Sequence, residues 1–418
     1  MSTEKAKFRA SVSLMLLCWL VYASSYIGKV NYAANINQIM EFYRVDHASA
    51  GLVSTFFFFA YAIGQVVNGL FCKKYNLKWI IFGSLLVSGT VNGIVAVAKN
   101  FIIIKYLWML NGFAMSILWP SLIRLLSETL AKKDMKKASL VMGTTVATGT
   151  FLVYGLSALF VRINFKLVFY LAMGLFLVVA CIWMALYSKL VSNAKLESVE
   201  EETLPTEKKE TGKQSFNKSL IMLSIVMLAV YGIATNLIKD GLTTWVPSIL
   251  KEQYHLDSSF SIALTVLLPV VAIFGNAFAI AVHKKVSDFV LQCALTFLCA
   301  GIIVGGVIGG ISLNVFWITL IGFAIVCFLV SSCNSVITSI FPLFMKGKIN
   351  SGLIAGVLNG FCYVGSTISS YGLGALADHF GWIAVFWLLF FVCMGVSVSA
   401  GIYLLVKRFL SKKANCQE

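Results

Sequence analysis

The chain has 418 residues, 59% of them hydrophobic and 12% charged, with a formal net charge of +16 and a mean hydropathy of +0.88. No single soluble domain needs that much apolar surface, and apolar runs of about 20 residues, the length that crosses a bilayer, recur along the whole chain. The ten cysteines fall mostly inside those runs, as Cys18, Cys181, Cys293 and Cys327 do. They lack metal-ligand spacing and read as small buried hydrophobes, so neither a disulfide framework nor a metal or other cofactor is expected.

In chain order, the first apolar run begins near Val12, after Lys5, Lys7 and Arg9. It is too long for a signal peptide and has no small-residue cleavage site, so it reads as a membrane helix. Eleven more runs follow, giving twelve in two sets of six. Their centres lie near residues 24, 60, 88, 115, 149 and 177, then 234, 271, 299, 330, 362 and 395. Helices are the expected spanning form, because each satisfies its own backbone groups in lipid. The fold class is therefore all-α membrane protein: twelve transmembrane helices in two six-helix, pseudo-symmetric halves.

The one clear break in composition is Leu196 to Asn217, with Glu197, Glu200 to Glu202, Pro205 and Glu207 to Glu210. It reads as a solvated cytoplasmic linker. The expected domains are an N-terminal half, 1–195, a linker, 196–217, and a C-terminal half, 218–418.

The distribution of charge decides what the basicity means. Of 33 Lys and Arg, 24 fall at the N-terminus, in alternate loops, in the linker and at the C-terminus, for example Lys132-Lys133, Lys136-Lys137, Lys284-Lys285 and Lys407-Arg408. The opposite loops carry six: Arg44, Lys99, Lys105, Arg162, Lys166 and Lys251. That is the positive-inside pattern, with both termini cytoplasmic in a multi-pass protein of the plasma membrane. The basicity is topological, and nucleic acid is not an expected partner.

Two lysines lie deep within apolar runs at matching places in the two halves: Lys29 and Lys239. A cation in mid-membrane costs roughly 2.5–3.5 kcal/mol on insertion scales, so two at equivalent points suggest a shared use, the holding of an anion. Ile39-Met40, Tyr43 and Asp46 follow Lys29, as Ile249-Leu250, Tyr254 and Asp257 follow Lys239. Parallel repeats of this kind are related by an axis along the membrane normal.

Around Lys29, helical spacing brings Tyr22, Tyr26 and Tyr32 towards one face, a polar-aromatic stripe with hydroxyls to offer. Around Lys239, Thr235, Asn236 and Thr243 are similarly placed. Asp240 could form an ion pair with a lysine or carry a proton. Gln65 and Asn68 on the second helix, Thr144, Thr145 and Thr148 on the fifth, and Asn334, Asn359 and Tyr363 in the second half could contact substrate or hold neighbouring helices. Arg124, near Glu128, reads as a structural or gating salt bridge. His47, His255, His283 and His379 fall at helix ends, with no ligand partner at useful spacing.

Small residues at helical spacing, such as Gly64 with Gly69 and Gly365 with Gly372, permit close helix approach. Pro120, Pro247, Pro269 and Pro342 can bend membrane helices and free a carbonyl. No Walker loop, GxSxG or HExxH pattern stands in a plausible setting, so the chain is expected not to be an enzyme, and a secondary carrier is the default.

Twelve spans, a central linker and the loop Gly69-Leu-Phe-Cys-Lys-Lys-Tyr-Asn-Leu-Lys78 resemble the major facilitator superfamily. Within it, Tyr26-Ile-Gly-Lys-Val-Asn-Tyr-Ala33, Asn111-Gly-Phe-Ala-Met-Ser-Ile-Leu-Trp-Pro-Ser-Leu-Ile-Arg124 and Lys239-Asp-Gly-Leu-Thr-Thr-Trp-Val-Pro-Ser-Ile-Leu-Lys-Glu252 are similar to the first, fourth and seventh helices of the organophosphate:phosphate antiporters, the glycerol-3-phosphate and hexose-phosphate carriers. The resemblance implies transport of a small organic anion, such as a sugar or glycerol phosphate, by alternating access. Inorganic phosphate or a proton would be the coupling ion, and the working state would be a monomer in the lipid bilayer. It also implies a substrate site of Lys29, Lys239, Tyr26, Tyr22, Gln65, Asn236, Thr145 and Tyr363. The family places arginines where Lys29 and Lys239 stand, a lysine near Gln65 and a histidine near Thr145. Loss of the guanidinium fork leaves room for a carboxylate or another organic anion. The alternative readings are a proton-coupled carrier of carboxylates or sugars, and a transporter-like sensor of organophosphates.

Overall fold

A computed structural model of the protein describes residues 2–71, 75–201, 218–345 and 351–415. Ten apolar helices of spanning length occupy Ala10–Ala34, His47–Asn68, Leu77–Val97, Phe101–Thr129, Lys137–Phe160, Leu167–Leu196, Ser219–Tyr254, Ser258–His283, Phe289–Ser312 and Phe316–Phe344. The next apolar stretch, Ile354–Phe409, is long enough for two crossings. Gly381 divides it with φ +76° and ψ 171°, a backbone conformation open essentially to glycine alone. The eleventh and twelfth spans are therefore 354–380 and 382–409. No strand occurs among the described residues. The architecture is the expected all-α membrane fold, in which helices satisfy most backbone groups within their own segments.

Side chains of the sequence start several helices. Asn76, Asn100 and Asp257 each accept a backbone N–H two residues on, and Asp288 accepts from both Val290 and Leu291. Left-handed residues end others: Arg44 closes a short helix, Ile36–Tyr43, and His255 and Asn314 follow the seventh and ninth spans.

Of the four prolines in membrane helices, three stand at helix breaks, whereas Pro247 lies within the unbroken helix Lys218–Tyr254. The fourth span is broken at Ile117 into Phe101–Ser116 and Leu118–Thr129, one turn before Pro120. The eighth falls into Ser258–Thr265, Leu267–Ala272 and Gly275–His283 around Pro269. In the tenth a π-helical turn, Val336–Ile340, precedes Pro342. Such wide turns re-pair backbone groups that a proline ring leaves over.

The chain packs as two compact units, Met1–Tyr32 with Ala60–Lys213, and Ala33–Phe59 with Gln214–Glu418. Segment 33–59 thus differs from the sequence-based boundary, since it packs with the second unit. A physical reason is visible at Gly51, where a Cβ would lie 2.0 Å from the Ser370 carbonyl oxygen, so only a bare glycine lets the second helix come this near the eleventh. The sixth helix continues as far as Glu201. The expected linker therefore opens as helix, and its residues 202–217 lie outside the described residues, as do Cys72 to Lys74 of the loop after the second span.

Candidate functional site

In the first unit, Lys29 is half-buried. Its Nζ lies 5.2 Å from the ring centroid of Tyr26, one turn earlier, and 4.7 Å from that of Tyr61 on the second helix. Two aromatic faces hold the ammonium. Each such contact stabilises a cation by about 0.5–2 kcal/mol, more as water is excluded. Tyr22 packs edge-on to Tyr26 at 5.5 Å and tilts against Trp119 at 4.6 Å. At Gly149 of the fifth helix, a Cβ would lie 2.4 Å from the Ala23 carbonyl oxygen and 2.6 Å from Tyr26 Cβ, so this glycine lets the backbone close on the tyrosine stripe.

Behind Lys29 its backbone is tied down by buried amides. The Gly28 carbonyl accepts from Asn111 Nδ2 at 3.0 Å and Asn92 Nδ2 at 3.4 Å, while Asn31 Nδ2 donates to Asn92 Oδ1 at 2.7 Å. All three asparagines are fully buried. They join the first, third and fourth helices at the peptide next to the lysine.

Four other candidate residues, Gln65, Asn68, Thr145 and Arg124, make structural bonds in this unit. Gln65 Nε2 donates to the Ser116 carbonyl at 3.1 Å. Ser116 is four residues before Pro120, so its carbonyl is the one for which proline supplies no helical N–H. Asn68 Nδ2 reaches the Gly64 carbonyl at 2.7 Å and Ser116 Oγ at 3.3 Å. Thr145 is fully buried and bonds back to the Met142 carbonyl at 2.5 Å. Arg124 Nε donates to Glu128 Oε1 at 2.6 Å, one turn on.

In the second unit, Lys239 Nζ lies 3.6 Å from Asp240 Oδ1, so these sequence neighbours do meet. Asp240 Oδ2 accepts from Ser366 Oγ of the eleventh helix at 2.5 Å. Ser366 in turn accepts from Asn236 Nδ2 at 3.1 Å, and Asn236 Oδ1 accepts from Asn334 Nδ2 of the tenth helix at 2.9 Å. Every donor in this series points towards the Asp240 carboxylate, and Lys239 meets the other oxygen of the same carboxylate. Close approach of the seventh and eleventh helices makes it possible: at Gly365 a Cβ would lie 2.0 Å from the Ile233 carbonyl oxygen. Tyr363, one turn before Thr367, packs its ring against Phe58 at 6.3 Å.

The sequence did not single out Ser366 or the cage role of Tyr61. Ser366 stands in Gly365-Ser-Thr-Ile-Ser-Ser370, and such hydroxyl density in a membrane helix is itself a sign of helix-to-helix bonding. Tyr61 had only its four-residue spacing from Gln65. Also missed was His47, whose partners lie 205 and 331 residues away.

The Major Facilitator Superfamily model matches residues 18–351. The chain belongs to that superfamily. Among curated relatives, "Membrane sensor protein UhpC" of Escherichia coli (strain K12) is 23% identical over 121 residues, 29% of this chain and 28% of the relative. "Probable hexose phosphate transport protein" of Chlamydia pneumoniae is 26% identical over 89 residues, 21% and 20% of the two chains. The chain thus aligns with under a third of each of these relatives. Among solved structures, a bacterial homolog of the human lysosomal transporter Spinster, in an inward-facing and occupied conformation, superposes with TM-score 0.70 at 14% identity, over 95% of this chain and 97% of that one. The nucleoside transporter NupG gives 0.67 at 12% identity, over 94% and 99%. These likenesses show the fold. The chain is a multi-pass membrane protein of a transporter superfamily.

Proposed function

We propose that this superfamily member is a secondary carrier of a small organic anion, an organophosphate such as a sugar or glycerol phosphate. It works in the cytoplasmic membrane with both termini cytoplasmic, by alternating access of halves 1–195 and 218–418. The observation that carries the reading is that each half holds a lysine inside a membrane helix, with its ammonium steadied by neighbouring groups: Tyr26 and Tyr61 at Lys29, and Asp240 at Lys239. A membrane cation held in this way is a functional residue by default. The partial likeness to a hexose phosphate transport protein favours the phosphate ester.

In this reading Lys29 and Lys239 attract the anion, with Tyr22, Tyr26, Tyr363 and Asn236 as hydrogen-bond partners. Gln65 and Thr145 support the helices that carry them, and Arg124 serves a structural or gating pair. Asp240 acts as the resident counter-ion of Lys239, which an arriving anion displaces. Transport is chemistry-free, so no catalytic group is called for.

Thermal shift of purified protein tests the reading, with glycerol 3-phosphate, glucose 6-phosphate, inorganic phosphate and a monocarboxylate as probes. A stabilising hit should vanish in Lys29→Ala and in Lys239→Ala; ligands that stabilise both variants as well as wild type refute the anion site. The likeness to a membrane sensor protein supports a second reading, in which the fold binds ligand to signal. Proteoliposome flux separates the two, because a sensor binds the hit and moves none. With flux present, loss of uphill uptake but not exchange in Asp240→Asn would mark proton coupling in place of phosphate exchange.

A further inference from the structure

Within the second unit, His47 opens the second helix and faces carboxylates on two others. Its Nε2 lies 2.7 Å from Glu252 Oε1, near the C-terminal end of the seventh helix, and its Nδ1 lies 2.6 Å from Asp378 Oδ1, near the end of the eleventh. A carboxylate only accepts, and a neutral imidazole has one donor and one acceptor. Both bonds can therefore form together only when the ring carries two protons. With one proton, a nitrogen lone pair would face a carboxylate oxygen.

The surroundings serve the same pairing. Asp378 also accepts the backbone N–H of His47 at 3.2 Å and of Ala48 at 2.7 Å, which ties the eleventh helix to the first turn of the second. Glu252 Oε2 accepts from Trp382 Nε1 at 2.8 Å. The Trp245 and Trp382 rings stand 5.5 and 5.3 Å from the imidazole and narrow the access of water. Asp46, the preceding residue, turns to its own helix, where the Ser49 side chain and the Ser49 N–H, the latter at 2.8 Å, bond to it and together hold its carboxyl below the usual range. The charged groups facing the ring from other elements are thus Glu252 and Asp378. Two turns further on, Thr55 Oγ1 donates to the Thr367 carbonyl at 2.9 Å and accepts from Tyr371 N at 3.1 Å. It is inserted into the hydrogen-bond ladder of the eleventh helix.

We propose that His47 is a proton-operated latch: as imidazolium it fastens the start of the second helix to the ends of the seventh and eleventh, and on giving its proton to solvent it lets them go. His47 stands at the first residue of the second helix, so opening of the latch frees that end of the helix to move. The latch is closed in acid and opens as pH rises through the titration of the imidazole, whose ordinary value is about 6.5. The inference does not depend on what the carrier binds.

Hydrogen–deuterium exchange from pH 5.5 to 8.5, corrected for intrinsic exchange, tests it on the full chain in detergent. Protection of peptides covering 43–55 and 376–384 should fall by up to about tenfold per pH unit across the titration window, the limit for one linked proton. In His47→Gln, which keeps one donor and one acceptor, protection should be low throughout. In His47→Arg, which keeps two donors and a permanent charge, it should be high throughout. A wild type without the pH step, or a step that survives in either variant, overturns the proposal. Should the variants not fold, NMR of 15N-histidine in wild type decides. One of the four imidazoles should stay doubly protonated to higher pH than the rest; four that titrate together overturn the latch.

Discussion

Gln65→Leu should destabilise the protein through one carbonyl. Pro120 provides no N–H to the Ser116 carbonyl four residues back, and Gln65 Nε2 donates to it at 3.1 Å from the second helix. Leucine keeps most of the side chain's bulk and removes the donor. A buried polar group left without a partner costs about 1–3 kcal/mol in soluble proteins. Interhelical hydrogen bonds measured within a membrane protein average about 0.6 and reach about 1.7 kcal/mol. Ser116 is fully buried and stands beside the break at Ile117, so we place the loss at about 1–1.5 kcal/mol, towards the upper part of the membrane range.

Pro120→Ala sharpens the test, because it returns a backbone donor to the same carbonyl. In that background Gln65→Leu should cost under about 0.5 kcal/mol, giving a coupling energy near 1 kcal/mol in a double-mutant cycle. Reversible unfolding in mixed micelles would supply the four stabilities. Equal costs of Gln65→Leu in the two backgrounds would refute the reasoning. So would a variant of full stability that loses only ligand binding, which would make Gln65 a substrate contact instead.

Three other expectations follow from the coordinates. Asp288 is partly buried, which raises its carboxyl pKa, but Lys407, the Leu291 N–H and Tyr403 outweigh burial and hold it below the usual value; its stabilising contribution is present above the unfolded carboxylate range near 3.9 and is lost as pH falls through the lower folded value, so the acid limb of a melting-temperature profile should flatten in Asp288→Asn. Gly365→Val places carbon where the Ile233 carbonyl oxygen sits 2.0 Å away, with Leu237 N at 3.0 Å, and should abolish folded protein in detergent as read by size-exclusion chromatography, whereas Gly360→Val, at a position with open space, should not. Asp46→Ala removes the acceptor for Ser49 N and should cost about 1 kcal/mol of unfolding free energy, the usual worth of a helix cap, with Asp46→Asn retaining most of it.

The parts legible in the sequence were those set by local chemistry. Apolar length placed the spans, because twenty apolar residues have few uses other than crossing lipid, and proline stood at the breaks of the fourth, eighth and tenth helices, though Pro247 breaks none and the fifth span is divided at Thr144 without a proline. Lys29 and Lys239 stood out because a cation is costly there. What the sequence hid were pairings over long separations. Gln65 and Thr145 were read as possible substrate contacts from their polarity and from the family resemblance; the Gln65 donor and the Thr145 hydroxyl go to backbone carbonyls, a use that residue type cannot separate from ligand binding. His47 showed no partner at helical spacing because its partners sit at the far ends of two other helices. Ser366 was hidden by ordinariness, since a serine in a membrane helix is unremarked until its neighbour is an aspartate.

The two lysines meet the same cost by different means, and the difference bears on how an anion would bind each. Lys29 Nζ lies over the rings of Tyr26 and Tyr61. Lys239 already has a carboxylate at 3.6 Å, and that carboxylate is held by Ser366, Asn236 and Asn334 in series. There an anion competes with a resident one, and each gain at the lysine is offset by strain in the relay. The relay joins the seventh, tenth and eleventh helices, so displacing Asp240 would be felt by all three. Under the proposed function, the lysine paired with an acid that is tied into three helices is the one suited to convert binding into movement.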